Sequence, residues 1–286
     1  GVFTKPDMPK NRGMKIEMSE VKKVALAAGL PVYQPVSFRD ETVIETLRAL
    51  APDVIAVVAY GKILPQAVLD IPKLGCINIH ASVLPELRGS GPVQWAILNG
   101  MDETGVTAMY MSAGMDEGDI IEIRKTPIEP YENAQSLLDR LAEIGGELLC
   151  DTLRAVQAGT VTRTPQDNEK ATVTKMIDKS QAFIDFTDTA TDTVNKIRAF
   201  NPSPVCYTLL GGEPLKIYRA RVSDIPEEKL SGYAAGEAVL TEDKLVIKNS
   251  AGATELIEVQ KAGGKAMNVT DFLRGNRIAE KTVFGK

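Results

Sequence analysis

The chain has 286 residues, of which 44% are hydrophobic and 25% charged, and its formal net charge is −5. This length suits one large or two medium domains, and the composition is that of an ordinary globular protein. The negative charge argues against a general coating of nucleic acid, although a local basic patch stays compatible with it. No apolar run approaches the length of a membrane-spanning helix.

The first part of the chain alternates between helical and extended patterns. Helical periodicity is present in the stretches 19–29, 41–50, 93–99 and 134–158. Extended patterns occupy the stretches 31–35, 54–59, 75–80, 106–111 and 120–123. The run 54–59 is continuously apolar, as expected of a strand buried on both faces. Alternating strands and helices predict an α/β fold with a Rossmann-like, doubly wound, mostly parallel sheet.

The pattern changes after Gly159. Residues 161–178 are polar and irregular, which indicates a linker. Beyond them come five short strands, at 206–210, 215–220, 237–240, 244–247 and 255–259. Their close spacing favours a small OB-like β-barrel. We therefore expect a first domain over residues 1–160, a linker over 161–178 and a barrel domain over 179–286.

The cysteine pattern indicates neither a disulfide bond nor a metal site. Cys76, Cys150 and Cys206 are far apart and odd in number, and the sequence has no CxxC motif. Neither a disulfide framework nor a zinc site is predicted, and no metal is expected. A reducing cytoplasm is the location that this cysteine usage favours.

Three polar residues stand near predicted strand ends. His80 is the only histidine, and Asn78 precedes it by two positions on a strand, so both side chains leave the same face. Asp116 lies in a glycine-flanked loop after the strand 106–111. A lone histidine or a turn aspartate is usually structural, but the three together at one sheet edge indicate a catalytic site. No GxSxG-type nucleophile is present, so direct transfer to an external nucleophile is favoured over a covalent intermediate.

Two stretches carry a family resemblance. Residues 75–100 read GCINIHASVLPELRGSGPVQWAILNG, and residues 105–109 and 114–119 read GVTAM and GMDEGD. They strongly resemble the signatures of the folate-dependent formyltransferases. Within that family the chain most resembles the members that formylate methionyl initiator tRNA, over essentially its whole length. The supporting segments are 5–15 (KPDMPKNRGMK), 59–65 (AYGKILP) and 198–204 (RAFNPSP).

The resemblance implies a reaction and a set of residues. It implies that Asn78, His80 and Asp116 are catalytic and that 10-formyltetrahydrofolate is the formyl donor. The residues it assigns to folate binding are Ser82, Val83, Leu84, Pro85, Tyr60 and Gly61. Those it assigns to tRNA binding are Lys10, Arg12 and Lys15, with the domain 179–286 as a further tRNA-binding element. The implied partners are initiator Met-tRNA and the folate cosubstrate, with no membrane and no obligate protein partner.

The amino end differs from the family pattern. Val2 and Phe3 followed by Lys5-Pro6-Asp7 resemble the end of a strand that enters a loop. The family begins with a strand and a helix, whereas this sequence begins at the second strand. We therefore expect that a βα unit of about 30 residues, including the first strand, is missing from the given sequence.

Three alternatives stay open at this point. The same trio would serve a formyltransferase acting on nucleotide-linked amino sugars, or a formyltetrahydrofolate hydrolase with water as the acceptor. The basic segment 5–15 favours tRNA as the acceptor. From a different functional class, the chain would be a non-catalytic tRNA- or folate-binding module, which the retained trio argues against.

Overall fold

A computed structural model of the chain describes residues 1–10, 15–241 and 244–286. The helices are α1 (Glu20–Ala27), α2 (Glu41–Ala49), α3 (Gln66–Leu69), α4 (Pro92–Leu98), α5 (Ala134–Ala158), α6 (Ala190–Ala199), α7 (Glu227–Leu230) and α8 (Val269–Gly275). The strands up to the end of α5 are β1 (Val2–Phe3), β2 (Met8–Lys10), β3 (Lys15–Glu17), β4 (Val32–Tyr33), β5 (Ile55–Val58), β6 (Cys76–His80), β7 (Arg88–Gly89), β8 (Glu103–Tyr110) and β9 (Ile120–Pro127). The later strands are β10 (Val173–Thr174), β11 (Cys206–Leu210), β12 (Glu213–Val222), β13 (Ala238–Thr241), β14 (Lys244–Lys248), β15 (Ala253–Lys261) and β16 (Met267–Asn268).

Proximity of Cα atoms divides the chain into two compact units, each built from several segments. Unit 1 consists of Gly1–His80, Thr107–Ile123 and Gly145–Glu169. Unit 2 consists of Ala81–Val106, Arg124–Ile144 and Lys170–Lys286. Strands β8 and β9 and helix α5 contribute residues to both units.

A four-stranded sheet in the order β5-β6-β8-β9 organises unit 1. Strand β5 is parallel to β6, and β1 is parallel to β4 in a separate two-stranded ladder. Strand β8 is antiparallel to β6, with Thr107 opposite His80. The prediction of a mostly parallel sheet is therefore wrong for the β6–β8 pair, because the chain re-enters the sheet at the end where β6 leaves it.

The two faces of β6 are covered by different apolar clusters. Cys76 packs with Ile44 and Leu47 of α2. Its neighbour Ile77 packs with Tyr110 and with Val156 of α5. Successive strand residues point to opposite faces, so this division means that β6 is buried on both sides.

Strand β5 lies at the edge of this sheet and is less buried than predicted. Its residues alternate between half-buried and exposed, and the Val58 residue is 55% exposed. The expectation that the run 54–59 is buried on both faces is therefore wrong, because the face of β5 that carries Ala56 and Val58 is exposed.

An antiparallel sheet in the order β11-β12-β15-β14-β13 organises unit 2, and β16 pairs with β15. Its core includes Leu230, Val239, Val246 and Ala253. Within the described residues the predicted barrel does not close as a continuous ladder. Its two edges are joined only by single bridges, Leu210 with Phe284 and Glu237 with Val283.

The polar segment 161–178 is not free of secondary structure. Thr164 forms an antiparallel bridge with Ile120 in unit 1. Further along, β10 pairs in parallel with β7 in unit 2. Among the described residues, no helix combines the length and the apolarity needed to cross a membrane.

Candidate active site

Strand β6 presents the first two residues of the predicted trio. Asn78 lies opposite Val57 of β5 and Met109 of β8, so the strand that carries it is held on both sides. His80 ends the strand, and 7% of its side chain is exposed. The i, i+2 spacing directs both side chains to one face. The strand therefore gives the amide and the imidazole a rigid support.

Asp116 reaches His80 from the loop between β8 and β9. Its Oδ2 lies 3.6 Å from Nδ1 of His80, and 19% of its side chain is exposed. This distance allows an ion pair but exceeds that of a direct hydrogen bond. The structure thus brings these two predicted residues together in a partly shielded place, where charges interact more strongly than in bulk water.

The loop that carries Asp116 has an unusual backbone. Asp116 has a φ of 55°, in the left-handed region that aspartate tolerates better than most residues. Two residues on, a Cβ added to Gly118 would collide with the carbonyl oxygen of Tyr110. The backbone of the loop therefore passes directly over the end of β8, and only glycine fits at position 118.

A glutamine that the sequence analysis missed contacts the same loop. The Nε2 atom of Gln166 donates hydrogen bonds of 2.8 Å to the carbonyl oxygens of both Asp116 and Gly118. The same atom lies 3.9 Å from the Sδ of Met109, the residue opposite Asn78. Gln166 falls in the polar stretch predicted as a linker, and no local pattern distinguishes it from its neighbours.

The segment before Gln166 is itself anchored. Thr164 exchanges backbone hydrogen bonds of 2.8 and 2.9 Å with Ile120, the first residue of β9. The guanidinium carbon of Arg163 lies 3.6 Å from the centre of the Tyr110 ring. These contacts hold the segment beside β8 and β9, so the backbone from which the Gln166 side chain extends is held in place.

The predicted folate residues of unit 1 have different environments. The Tyr60 ring packs against Phe38, with 5.8 Å between ring centres. Burial raises the pKa of the Tyr60 hydroxyl, whose oxygen has no hydrogen-bond partner among the described residues. Gly61 is exposed and has a φ of 70°. After it, Lys62 donates to the carbonyl oxygens of Pro35 and Val36 and so fixes the course of the loop.

The predicted folate residues 82–85 belong to unit 2. Ser82 is buried, and its hydroxyl donates to the carbonyl oxygen of Glu86 at 2.7 Å. Leu84 is also buried, whereas Val83 and Pro85 are half-buried. The carbonyl oxygen of Pro85 accepts a bond from the Thr172 amide at 3.3 Å. The segment is therefore a compact turn, in which Val83 and Pro85 are the more accessible residues.

The predicted tRNA-binding side chains lie outside the part of the chain that the structure describes. Arg12 is outside the described residues, as are the side chains of Lys10 and Lys15, whose backbones pair in the β2–β3 hairpin. The base of that hairpin is described. Lys22 Nζ lies 2.6 Å from both an Asp7 carboxylate oxygen and the Gln34 Oε1 atom. These bonds hold the hairpin root against α1.

No group of three or more His, Cys, Asp or Glu side chains that could hold a metal occurs in the described part of the chain. The trio itself offers the chemistry of an amide, an imidazole and a carboxylate. An amide donates hydrogen bonds to a developing oxyanion, and an imidazole–carboxylate pair moves protons near neutral pH. This combination suits acyl or formyl transfer to an external nucleophile.

Comparison with known proteins agrees with this chemistry. The family model described as "Formyl transferase" matches residues 1–153, and "Formyl transferase, C-terminal domain" matches residues 176–277. A methionyl-tRNA formyltransferase of Agathobacter rectalis is 41% identical over 285 residues, which cover 99% of this chain and 90% of that protein. One of Chromohalobacter salexigens is 43% identical over 290 residues, covering 99% of this chain and 89% of the relative.

A solved structure shares the fold at lower identity. An N-formyltransferase of Helicobacter canadensis, in complex with folinic acid and dTDP-3-aminofucose, superposes with a TM-score of 0.65. It is 19% identical, and the match covers 90% of this chain and 87% of the other. Two family models that together span most of the sequence, and relatives above 40% identity along its length, show that the chain belongs to the formyl transferase family.

Proposed function

We propose that this chain transfers the formyl group of 10-formyltetrahydrofolate to the α-amino group of methionyl initiator tRNA. The observation that carries the proposal is the similarity to methionyl-tRNA formyltransferases at 41–43% identity over 99% of the chain. The geometry of unit 1 supports it, because His80 and Asp116 lie 3.6 Å apart and Asn78 shares the strand of His80.

The reaction needs no covalent enzyme intermediate. The amine nitrogen attacks the formyl carbon, a carbon–nitrogen bond forms, and the carbonyl oxygen gains negative charge. The bond to the folate nitrogen then breaks, and one proton moves, overall, from the amine to that nitrogen. The electron pair of the broken bond stays on the folate.

Each member of the trio has a separate role. Asn78 donates a hydrogen bond to the developing oxyanion, a contribution worth about 2.7–4 kcal/mol where single donors have been removed. His80, as an imidazolium, stabilises the same charge and supplies a proton. Asp116 stabilises that imidazolium and accepts the proton lost by the amine.

Both substrates also contact residues outside the catalytic trio. We assign the folate to Ser82, Val83, Leu84 and Pro85 with Tyr60 and Gly61, among which Val83, Pro85 and Gly61 are the accessible residues. We assign the tRNA backbone to Lys10, Arg12 and Lys15, of which Lys10 belongs to β2 and Lys15 to β3. Phosphate contacts make affinity salt-dependent, so Arg12→Ala is expected to reduce the slope of log K against log salt by about 0.9.

The domain assignment keeps the boundaries that the sequence pattern predicts. Residues 1–160 form a Rossmann-like catalytic domain, 161–178 a linker and 179–286 an OB-like tRNA-binding domain. The matches to residues 1–153 and 176–277 support a division into an amino-terminal and a carboxyl-terminal domain. The bridges that residues 283 and 284 make to both edges of the unit 2 sheet support a barrel-like course. The free thiols of Cys76, Cys150 and Cys206 are consistent with a cytoplasmic location, and no obligate protein partner is assigned.

The test is formyl transfer with three acceptors in parallel. Purified protein and 10-formyltetrahydrofolate are combined with Met-tRNA, with a dTDP-linked amino sugar, or with buffer alone. Formylated Met-tRNA is expected. Formyl sugar as the sole product would favour the second candidate, which rests on folds such as that of the Helicobacter canadensis enzyme. Free formate would indicate a hydrolase, and binding without turnover would indicate a non-catalytic module.

A further inference from the structure

Gln166 is the one described side chain whose amide bonds both carbonyls of the Asp116 loop. Its Nε2 atom lies 2.8 Å from the Asp116 oxygen and 2.8 Å from the Gly118 oxygen. Both partners are carbonyls, which only accept, so the amide nitrogen must face them and both of its hydrogens are used. This arrangement is a bidentate clamp on the loop backbone.

The clamp acts where the loop backbone is strained. The left-handed φ of 55° at Asp116 is an unfavourable conformation for a residue with a Cβ, and it persists only where the surroundings hold it. The direction of the Asp116 carbonyl sets the orientation of the peptide group between Asp116 and the next residue. Holding that carbonyl and the one at Gly118 fixes the direction in which the Asp116 carboxylate leaves the loop.

We propose that Gln166 is a positioning residue of the active site, which holds Asp116 in its left-handed conformation and so keeps its carboxylate beside His80. The inference deepens the proposed function and rests on it for the catalytic role of Asp116. Gln166 does not touch the reacting atoms in this account. Its effect passes through the backbone of residues 116–118.

The clamp has a rigid base of its own. The bonds of Thr164 to Ile120 and the stacking of Arg163 on Tyr110 tie the segment before Gln166 to strands β8 and β9. The contact of Nε2 with Met109 adds a link to the residue opposite Asn78. Gln166 therefore fixes the position of the loop relative to the sheet that carries Asn78 and His80.

The first experiment compares Gln166→Met with the wild type and with the control Gln66→Met. Methionine has a similar length and no donor, whereas Gln66 makes one exposed bond to Asp70 within the same unit. Gln166→Met is expected to lower kcat about 10–100-fold, because a small misplacement of a catalytic group has such effects, with little change in the KM of either substrate. Gln66→Met should leave kcat and KM unchanged.

A double-mutant cycle separates positioning from general damage. In an Asp116→Asn background, Gln166→Met should lower kcat by no more than about twofold, because the group that it positions is already gone. An equal loss in both backgrounds would overturn the proposal, as would wild-type kcat in Gln166→Met. Should Gln166→Met fail to fold, Gln166→Glu replaces it, since the carboxylate keeps the length and repels the two carbonyls.

A spectroscopic measurement needs no substrate and stands apart from the proposed function. His80 is the only histidine, so its ring nitrogen signals in NMR spectra are unambiguous. At fixed pH these signals should move in Gln166→Met toward their positions in Asp116→Asn. Unchanged signals would overturn the positioning role. Absence of Met-tRNA formylation by the wild type would instead overturn the proposed function and leave this result interpretable.

Discussion

The Nδ1 atom of His80 and the Oδ2 atom of Asp116 lie 3.6 Å apart, although one residue ends a buried strand and the other sits in a loop. The strand holds the imidazole in a rigid position, and the loop holds the carboxylate on a residue with a left-handed backbone. Because different elements hold the two groups, each can be perturbed separately.

Asp116→Asn should lower kcat by about 10²- to 10⁴-fold, the usual contribution of a general acid or base. Asparagine is the appropriate variant because it tolerates the φ of 55°, whereas alanine would add backbone strain. Steady-state formylation of Met-tRNA measures the effect, and circular dichroism checks the fold. The exposed neighbour Glu117, changed to Gln, is the control and should keep wild-type kcat. A fully active Asp116→Asn protein would remove Asp116 from the mechanism.

Gly118→Ala should displace the Asp116 loop, because its new Cβ would collide with the carbonyl oxygen of Tyr110. Such overpacking usually costs about 1–3 kcal/mol of unfolding free energy, and here we also expect a large loss of kcat. Urea denaturation and the formylation assay measure the two effects.

The matched control is Gly146→Ala in helix α5, where a Cβ has nothing within 4 Å. Replacing an exposed helical glycine by alanine should stabilise the protein by about 0.5–1 kcal/mol without changing activity. If Gly118→Ala were as stable and as active as Gly146→Ala, the described path of the loop would be wrong.

The three cysteines should differ in reactivity toward a thiol reagent. Burial raises the pKa of Cys76 to about 11 and that of Cys206 to about 12, whereas Cys150 is exposed. The thiolate is the reactive form, so at pH 8 the native protein should react at Cys150 alone. Unfolding by urea should release the other two. Peptide mapping after alkylation identifies the labelled sites, and rapid native labelling of Cys76 or Cys206 would contradict their burial.

The raised pKa values of Cys76 and Cys206 also predict how the unfolding free energy changes at alkaline pH. A thiol whose pKa is raised in the folded state binds its proton more tightly there than in the unfolded chain. Its contribution to the unfolding free energy is complete below the ordinary thiol pKa. That contribution is lost as the pH rises toward about 11 for Cys76 and about 12 for Cys206. Replacing both Cys76 and Cys206 by alanine should flatten this decline in the unfolding free energy.

Lys22→Met should weaken the root of the β2–β3 hairpin, because Lys22 bonds Asp7 and Gln34 there. The hydrogen bond from Lys22, followed by that from Gln34, lowers the pKa of Asp7, so its carboxylate stays ionised to a lower pH than an ordinary aspartate. If the hairpin carries the tRNA contacts, the KM for Met-tRNA should rise by up to about fivefold while kcat changes little.

The adjacent Lys23 provides the control. It pairs with Glu20 on the exposed side of α1, so Lys23→Met removes the same charge without touching the hairpin root. Equal effects of the two substitutions on KM would mean that net charge, rather than hairpin position, is responsible.

The sequence predicts some parts of this fold well. The periodicity over 134–158 coincides with helix α5, and the stretch 75–80 contains strand β6 with Asn78 and His80. Both are local patterns, since a helix face or strand alternation is written in neighbouring residues. Asp116 was found through its glycine-flanked loop, which is also a local signal.

Other parts depend on contacts between distant segments. The antiparallel return of β8 follows from strand order, and the exposure of Val58 follows from the uncovered face of β5; periodicity encodes neither. Gln166 matters because Thr164 bridges Ile120, a pairing across the chain that a polar stretch does not reveal. The residues that orient the acid were therefore less predictable than the acid itself.

The most direct test of the account is the rate of formyl transfer to Met-tRNA by the wild type and by Asn78→Ala, with saturating substrates. The wild type should formylate Met-tRNA, and removing the Asn78 donor should lower kcat by about 10²- to 10³-fold with an intact fold. A wild-type rate in Asn78→Ala, or no transfer to Met-tRNA by the wild type, would contradict it.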